Sequence, residues 1–273
     1  IQDGSPISEF RPIIYTYGHL FGGWKTGEFN NRSFDNLHSA GPQADAVIAK
    51  AVKSLGGEKY LNVKSQVGRG KFSSIKEGAV VSFQTFIDVI VFPDKERTDF
   101  RGQGVRSVQT NIGETGWIFD GDQELIKIQT EKQIDGFKQS MRTSLDNLLR
   151  GHWRGKASVS FAGHRQASLG KRNDVIKLTY DDGFVVEFEF SDDGLPQKAI
   201  YKLGAEGEES KEEDRYAQFV DVGGIKTPFI IDRFTNGEAN SRINYESVEF
   251  NKTIPDSIFE KPATKKALKE IKL

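Results

Sequence analysis

The run at residues 174–203 reads DVIKLTYDDGFVVEFEFSDDGLPQKAIYKL, and its alternation of apolar and polar residues decides the fold class. Because successive side chains of a β-strand point to opposite faces, the apolar residues that follow Gly183 share one face. They are Phe184, Val186, Phe188 and Phe190. The Asp-Gly pairs at 182–183 and 193–194 provide the positive φ that a tight hairpin turn needs. The run is therefore predicted to form an antiparallel meander with one apolar face and one polar face.

Strand-like patterns extend over most of the remaining chain. They cover residues 67–75, 79–92, 96–101, 107–128, 215–222, 225–235 and 241–250. Residues 80–92 include apolar residues at both odd and even positions, which is typical of a strand that is covered on both faces. Gly223-Gly224 and Asn236-Gly237 connect the later strands as tight turns. These patterns predict a mainly β (α+β) protein built on a large antiparallel sheet.

Two stretches have helical spacing instead. Residues 44–55 predict a short amphipathic helix that ends at Gly56-Gly57. Residues 130–150 predict one long helix, which begins with a capping box formed by Thr130 and Gln133. Its apolar stripe consists of Ile134, Phe137, Met141, Leu145, Leu148 and Leu149. We expect this stripe to lie on the apolar face of the sheet, because nothing else in the chain is large enough to cover that face.

Composition excludes several kinds of function. The 273 residues include no cysteine, which removes thiol catalysis, disulfides and cysteine-ligated zinc. Lysine and arginine number 38 against 39 acidic residues, and this balance gives no field that would attract nucleic acid. The four histidines lack metal-ligand spacing, and the nucleophile-elbow, phosphate-loop and dinucleotide motifs are missing. We therefore predict a protein that is not an enzyme and has no catalytic residue, cofactor or metal.

Three regions differ in character along the chain. Residues 1–42 form an irregular, aromatic-rich arm, residues 43–262 form the β domain, and residues 263–273 form a basic tail. For this lysine-rich tail a frayed terminal helix is favoured over a membrane-surface anchor, because its apolar face is small. No run approaches the ~20 apolar residues of a membrane span. The chain begins with Ile1 rather than methionine, which leaves open a removed targeting segment.

The order of several short motifs resembles a known family. A helix ending in LGG at residues 55–57 comes first. Next in order are FPDKERTDF at 92–100, TGWIFDG at 115–121, DDGLP at 192–196, YAQFVDVGGIKTPFII at 216–231 and IPDSIF at 254–259. This series resembles the LolA/LppX-like superfamily of bacterial envelope proteins, in its uncharacterised outer-membrane lipoprotein-sorting-like branch. The resemblance spans about residues 44–262 and excludes the arm.

The resemblance implies a strongly curved antiparallel half-barrel whose concave apolar face is partly plugged by helices. It also implies a periplasmic or secreted monomer whose signal peptide is removed before Ile1, and a cavity that binds a lipid, an acyl chain or a lipoprotein. Carrier members use a specific basic residue and mobile helices to hold and release cargo, and the resemblance does not assign these positions residue by residue in this chain.

Surplus apolar surface gives a set of candidate cavity residues, because one helix stripe cannot cover all of it. The candidates are Phe83, Ile87, Trp117, Phe119, Phe137, Met141, Leu145, Phe184, Val186, Phe188 and Phe190. Two functions remain open at this point. The first is a carrier or chaperone-like protein with an open cavity, and the second is a structural or regulatory envelope domain that binds a protein partner and fills its cavity with its own side chains. An open apolar pocket of roughly 300–1,000 Å³ would favour the first function.

Overall fold

The structure is a computed structural model that describes residues 41–205 and 207–273. The predicted arm at residues 1–42 lies outside the described residues, except for its last two positions. Within the described ranges, no helix is long and apolar enough to cross a membrane.

The described residues form one sheet of thirteen strands. Strands β1 to β6 are Ser65–Lys76, Ala79–Val91, Lys95–Gly102, Val105–Ile112, Thr115–Asp120 and Leu125–Ile128. Strands β7 to β13 are Ala157–Ser168, Lys171–Tyr180, Val185–Phe190, Pro196–Leu203, Ser210–Val222, Ile225–Thr235 and Glu238–Phe250.

All neighbouring strands in this sheet are antiparallel. Strands β1 to β6 form one meander and β7 to β13 form a second, and the pairing of β1 with β13 joins them. The sheet does not close, so β6 and β7 are its two edges. The mainly β fold with an open, curved half-barrel is therefore confirmed.

Four short α-helices accompany the sheet within the described residues. They are α1 at Pro42–Leu55, α2 at Glu58–Leu61, α3 at Glu131–Thr143 and α4 at Leu145–Leu149. The predicted capping box is present, since the Thr130 hydroxyl accepts from Gln133 N and the Gln133 amide oxygen accepts from Thr130 N. The predicted long helix is divided at Ser144, which has extended backbone angles and caps α4 by accepting from Asn147 N at 3.1 Å.

The inner face of the half-barrel is the face that packs against α1 and α4. Its core includes residues of both meanders together with helix residues such as Leu55 and Leu148. Val186, Phe188 and Phe190 are all 0% exposed in this core, so the predicted alternation along residues 184–190 is confirmed. Gly183 has a φ of 86°, as the predicted Asp-Gly turn requires.

The outer face of β1 to β5 has its own apolar cover, which the C-terminal segment provides. Leu268 packs with Trp117 and Phe119, and Ile271 packs with the cluster around Val89. The tail therefore does not form a frayed helix. Its only helical part is the 3-10 turn Lys265–Ala267.

Buried polar contacts hold this C-terminal segment in place. Arg97 is fully buried and donates to the carbonyl oxygens of Ile258 at 2.6 Å and Lys269 at 2.8 Å. The same guanidinium pairs with Asp99 at 2.8 Å, so its charge is compensated. Residues 254–273 thus belong to the folded body of the protein.

Candidate functional site

The predicted cavity residues lie in different environments. Leu145, Phe184, Val186, Phe188 and Phe190 belong to the inner core, and Phe137 and Met141 are buried on α3. Ile87, Trp117 and Phe119 pack on the outer face, and Phe83 is 62% exposed. The structure does not bring these residues together around one cavity.

The register between β3, β4 and β5 explains why Trp117 and Phe119 point away from the inner face. Phe119 pairs with Val108, and Val108 pairs with Asp99, which is a partner of Arg97 on the outer face. The Trp117 indole N–H donates to the carbonyl oxygen of Phe259 at 2.8 Å. Trp117 and Phe119 share one face because they are two positions apart on β5, but their spacing alone does not indicate which face that is.

The space enclosed beneath the helices is very small. The cavity there has a volume of about 20 Å³ and is lined by residues that include Leu55, Tyr60, Leu145 and Asp146. A cavity of that size holds about one water molecule. This space is therefore too small to hold an acyl chain.

A much larger open cleft lies at the rim of the half-barrel, between α3 and the ends of β9 and β10. Its volume is about 770 Å³. Its apolar lining consists of Phe184, Val185, Ile200, Tyr201 and Leu203. Among the predicted cavity residues, Phe184 is the one that lines this cleft.

Charged groups of both signs surround this apolar lining. The cations are Arg142, Lys202 and Lys211, and the carboxylates are Asp182, Glu187 and Glu209. The two sets balance, so the cleft has no strong preference for the sign of a ligand's charge. Lys202 and Glu209 already pair with each other at 3.0 Å.

Arg142 fixes α3 against the sheet beside the cleft. Its guanidinium lies 2.6 Å from the carboxylate of Asp182 and sits over the rings of Tyr180 and Phe184, at 4.1 and 4.6 Å from their centroids. This hydrogen bond holds the pKa of Asp182 below its ordinary value. The hydroxyl of Tyr180 donates to the Arg142 carbonyl oxygen at 2.9 Å, and burial raises the pKa of Tyr180 to about 12.

A cluster of charged residues that sequence reasoning missed lies on the inner side of the half-barrel. Arg233 Nε is 3.5 Å from Asp214 Oδ1, and burial raises the pKa of Asp214. Burial, followed by the nearby charge of Asp88, raises the pKa of Glu96 well above its ordinary value, while Arg233 opposes that shift. Burial likewise raises the pKa of Tyr201. The sequence did contain a signal for the position of Arg233. This residue is two positions from the core residue Ile231, so both side chains lie on the same face of the strand.

Within the described ranges, no group of three or more histidine or acidic residues is arranged to hold a metal ion. The cleft itself has apolar, hydroxyl, amide and charged groups. Such a set can bury a hydrocarbon chain and contact a polar headgroup at the rim.

The fold is similar to that of solved proteins, although no known family model and no curated protein matches the sequence. A DUF1329 family protein from Desulfovibrio piger is 13% identical and has a TM-score of 0.58, with coverage of 80% of this chain and 97% of that one. A LolA superfamily protein from Nitrosomonas europaea is 17% identical with a TM-score of 0.54 and the same two coverages. The structure of MucB in complex with MucA(peri) has a TM-score of only 0.22. The first two similarities show that this chain has a LolA-like fold.

Proposed function

We propose that this protein is a non-enzymatic binding protein of the bacterial envelope that holds a lipid, an acyl chain or the acyl chain of a lipoprotein in the rim cleft. The observation that carries this proposal is the cleft of about 770 Å³, whose lining combines five apolar or aromatic side chains with charged groups. That volume is within the roughly 300–1,000 Å³ range of small-molecule sites. The LolA-like fold supports the same function, since the LolA superfamily resemblance implies carriers of this kind.

The energetics fit a ligand with a long hydrocarbon chain. Each methylene that leaves water for the cleft contributes about 0.8 kcal/mol, so ten methylenes give around 8 kcal/mol before ordering costs. The resulting affinity is about micromolar or weaker. Since the charges around the cleft balance in sign, binding depends only slightly on salt.

The proposed location is the periplasm or another compartment outside the inner membrane. The fold similarity supports this location through the superfamily's role in the envelope. The proposed partners are a lipid or acyl chain and, for a carrier, the lipoprotein or envelope protein that supplies or receives it.

Titration with a fluorescent fatty acid tests the proposal. Leu203 lines the cleft and is half-buried, so Leu203→Asp places a charge on the apolar surface without disturbing the inner core. Val220→Asp is the matched control, because Val220 is 41% exposed on β11 and does not line the cleft. Phe188→Asp is unsuitable as a test, because Phe188 is fully buried and the variant would unfold.

The expected result is saturable binding by the wild type and by Val220→Asp, with a loss of at least about tenfold in Leu203→Asp. Both variants should keep the wild-type circular dichroism spectrum. Absence of binding in the wild type, or equal binding in all three proteins, would refute the proposed ligand site.

A second function is favoured by one specific observation. The space beneath the helices has a volume of only about 20 Å³, and the buried residues of the inner face pack in one hydrophobic core. A structural or regulatory envelope domain that binds a protein partner fits this packing. If the wild type fails to bind any lipid, this second function replaces the first.

A further inference from the structure

The end of the β1–β2 hairpin exposes a compact set of apolar side chains. Val80, Val81 and Phe83 are 61%, 59% and 62% exposed. They occupy three of four consecutive positions. Single exposed apolar residues are common on protein surfaces, but a cluster of this kind indicates an interaction site. We call these three residues the tip.

The tip is exposed because the hairpin extends beyond its neighbouring strand. The pairing of β2 with β3 stops at Thr85 opposite Arg101, so residues 79–84 have no partner on that side. A bulge opposite Ser74 and Ile75 also leaves Val81 without a cross-strand partner. The tip is therefore a narrow protrusion and not part of a flat interface.

The C-terminal segment ends on the same outer face, close to the tip. Glu270 pairs with Arg101 at 2.6 Å, and Arg69 donates to the Leu273 carbonyl oxygen at 2.9 Å. Arg101 is the strand partner of Thr85, and Thr85 is two positions from Phe83 on the same face.

The exposed side of this segment is basic. Leu268 and Ile271 are buried against the sheet, so the lysines between and beside them face solvent. Within the described part of the chain, Lys266, Lys269 and Lys272 are exposed and make no ion pair. Residues 263–273 have four lysines and one glutamate in a chain whose net charge is −1.

We propose that the tip together with Lys266, Lys269 and Lys272 docks on the surface of an anionic phospholipid bilayer. The tip inserts among the headgroups, and the lysines lie near the lipid phosphates. Each signal alone gives marginal membrane binding, and two signals together give stable binding. A protein partner fits less well, since a stable interface buries about 800 Å² on each side and a narrow protrusion offers less.

The lysine-rich segment contributes charge and not insertion. The apolar residues that an inserted amphipathic helix would need, Leu268 and Ile271, are already used to cover the outer face. Docking should therefore be reversible and sensitive to salt. It does not depend on whether the rim cleft binds an acyl chain.

Vesicle co-sedimentation of the full chain tests this proposal. The vesicles are phosphatidylcholine alone or phosphatidylcholine mixed with phosphatidylglycerol, at low salt and at about 1 M salt, where the Debye length is about 3 Å. One variant combines Val80→Ser, Val81→Ser and Phe83→Ser, and a second combines Lys266→Gln, Lys269→Gln and Lys272→Gln.

Matched controls separate docking from general surface effects. Leu169→Ser removes an apolar side chain that is 97% exposed in the β7–β8 turn. A triple variant with Lys50→Gln, Lys53→Gln and Lys171→Gln removes the same amount of charge elsewhere. Leu203→Asp, which alters the rim cleft, should dock like the wild type.

The expected result is binding to anionic vesicles only, lost at high salt. Since each lysine near an anionic surface strengthens binding by about fivefold, the lysine variant should bind on the order of 100-fold more weakly. The tip variant should weaken binding at least about tenfold. All variants should retain the wild-type melting temperature.

Three results would overturn the proposal. They are an absence of binding to anionic vesicles, equal binding to neutral vesicles, and binding that either the tip variant or the lysine variant leaves unchanged. Concentration-dependent dimerisation that the tip variant abolishes, without vesicle binding, would instead assign the tip to a second copy of this chain.

Discussion

The guanidinium of Arg142 on α3 lies 2.6 Å from the carboxylate of Asp182 in the turn between β8 and β9. This contact joins the helix that follows the edge strand β6 to the other end of the sheet. Both residues line the rim cleft. The pair therefore defines one wall of the proposed ligand site.

Loss of the Arg142–Asp182 pair should change the way in which the stability of the protein depends on pH. The Arg142 hydrogen bond lowers the folded-state pKa of Asp182 below the unfolded value of about 3.9. The stabilisation is therefore present above about pH 4 and is lost as pH falls through the folded pKa. Asp182→Asn should lower the urea midpoint slightly at pH 6, and the difference from wild type should shrink as pH falls below about 4. A difference that grows as pH falls would contradict this assignment.

A second ion pair is buried and should matter more for stability. Asp146 on α4 accepts from Arg150 Nε at 2.6 Å and from the Tyr60 hydroxyl at 2.7 Å, and it is 2% exposed. Asp146→Ala leaves the Arg150 charge uncompensated and should cost roughly 3–5 kcal/mol in urea unfolding.

The control for that prediction is Asp135→Ala. Asp135 also pairs with a base in its own helix, Lys138, but at 3.9 Å and with a side chain that is 72% exposed. Its replacement should cost less than about 0.5 kcal/mol. Similar costs for the two variants would show that the Asp146 pair is not buried as described.

Two phenylalanines from the predicted cavity set should behave in opposite ways. Phe137 is 1% exposed on α3, so Phe137→Ala should cost roughly 3–5 kcal/mol of unfolding free energy. Phe83 is exposed at the tip, and Phe83→Ala should change stability by less than about 0.5 kcal/mol. Chemical denaturation measures both, and a small cost at Phe137 would mean that α3 is poorly packed.

Removal of residues 263–273 should uncover the outer face. Leu268 would no longer cover Trp117 and Phe119, so Trp117 fluorescence should shift to longer wavelength and unfolding should need less urea. The same truncation in a Trp117→Phe background should show no such shift. An unchanged emission maximum in the truncated chain would show that the segment is not part of the folded body.

The sequence was most informative where a local pattern was strong. Along residues 184–190 the apolar residues recur at every second position, with Val185 as the one exception on the other face, and Asp-Gly pairs lie on both sides of the strand. Parity and turns were therefore both predicted correctly. The capping box at Thr130 was equally local and equally correct. Such features depend on neighbouring residues and need no knowledge of the tertiary fold.

Features that depend on tertiary packing were not predictable. Both faces of β2 carry apolar residues, and only the fold shows that one face lies in the inner core while residues 254–273 cover the other. Strand β7 was not predicted, because a bulge at Gly163 disrupts its alternation and most of its side chains are exposed. The rim cleft requires the meeting of α3 with β9 and β10, which no single segment encodes.

Native mass spectrometry of the full chain, purified gently from its own host, tests the central claim most directly. We predict that the wild type and Val220→Asp carry an additional lipid-sized mass, that organic solvent releases it, and that Leu203→Asp lacks it. Two results would contradict lipid binding in the rim cleft. One is a wild-type protein whose only measured mass is that of the chain without a ligand, and the other is a Leu203→Asp variant that keeps the full amount of the bound lipid.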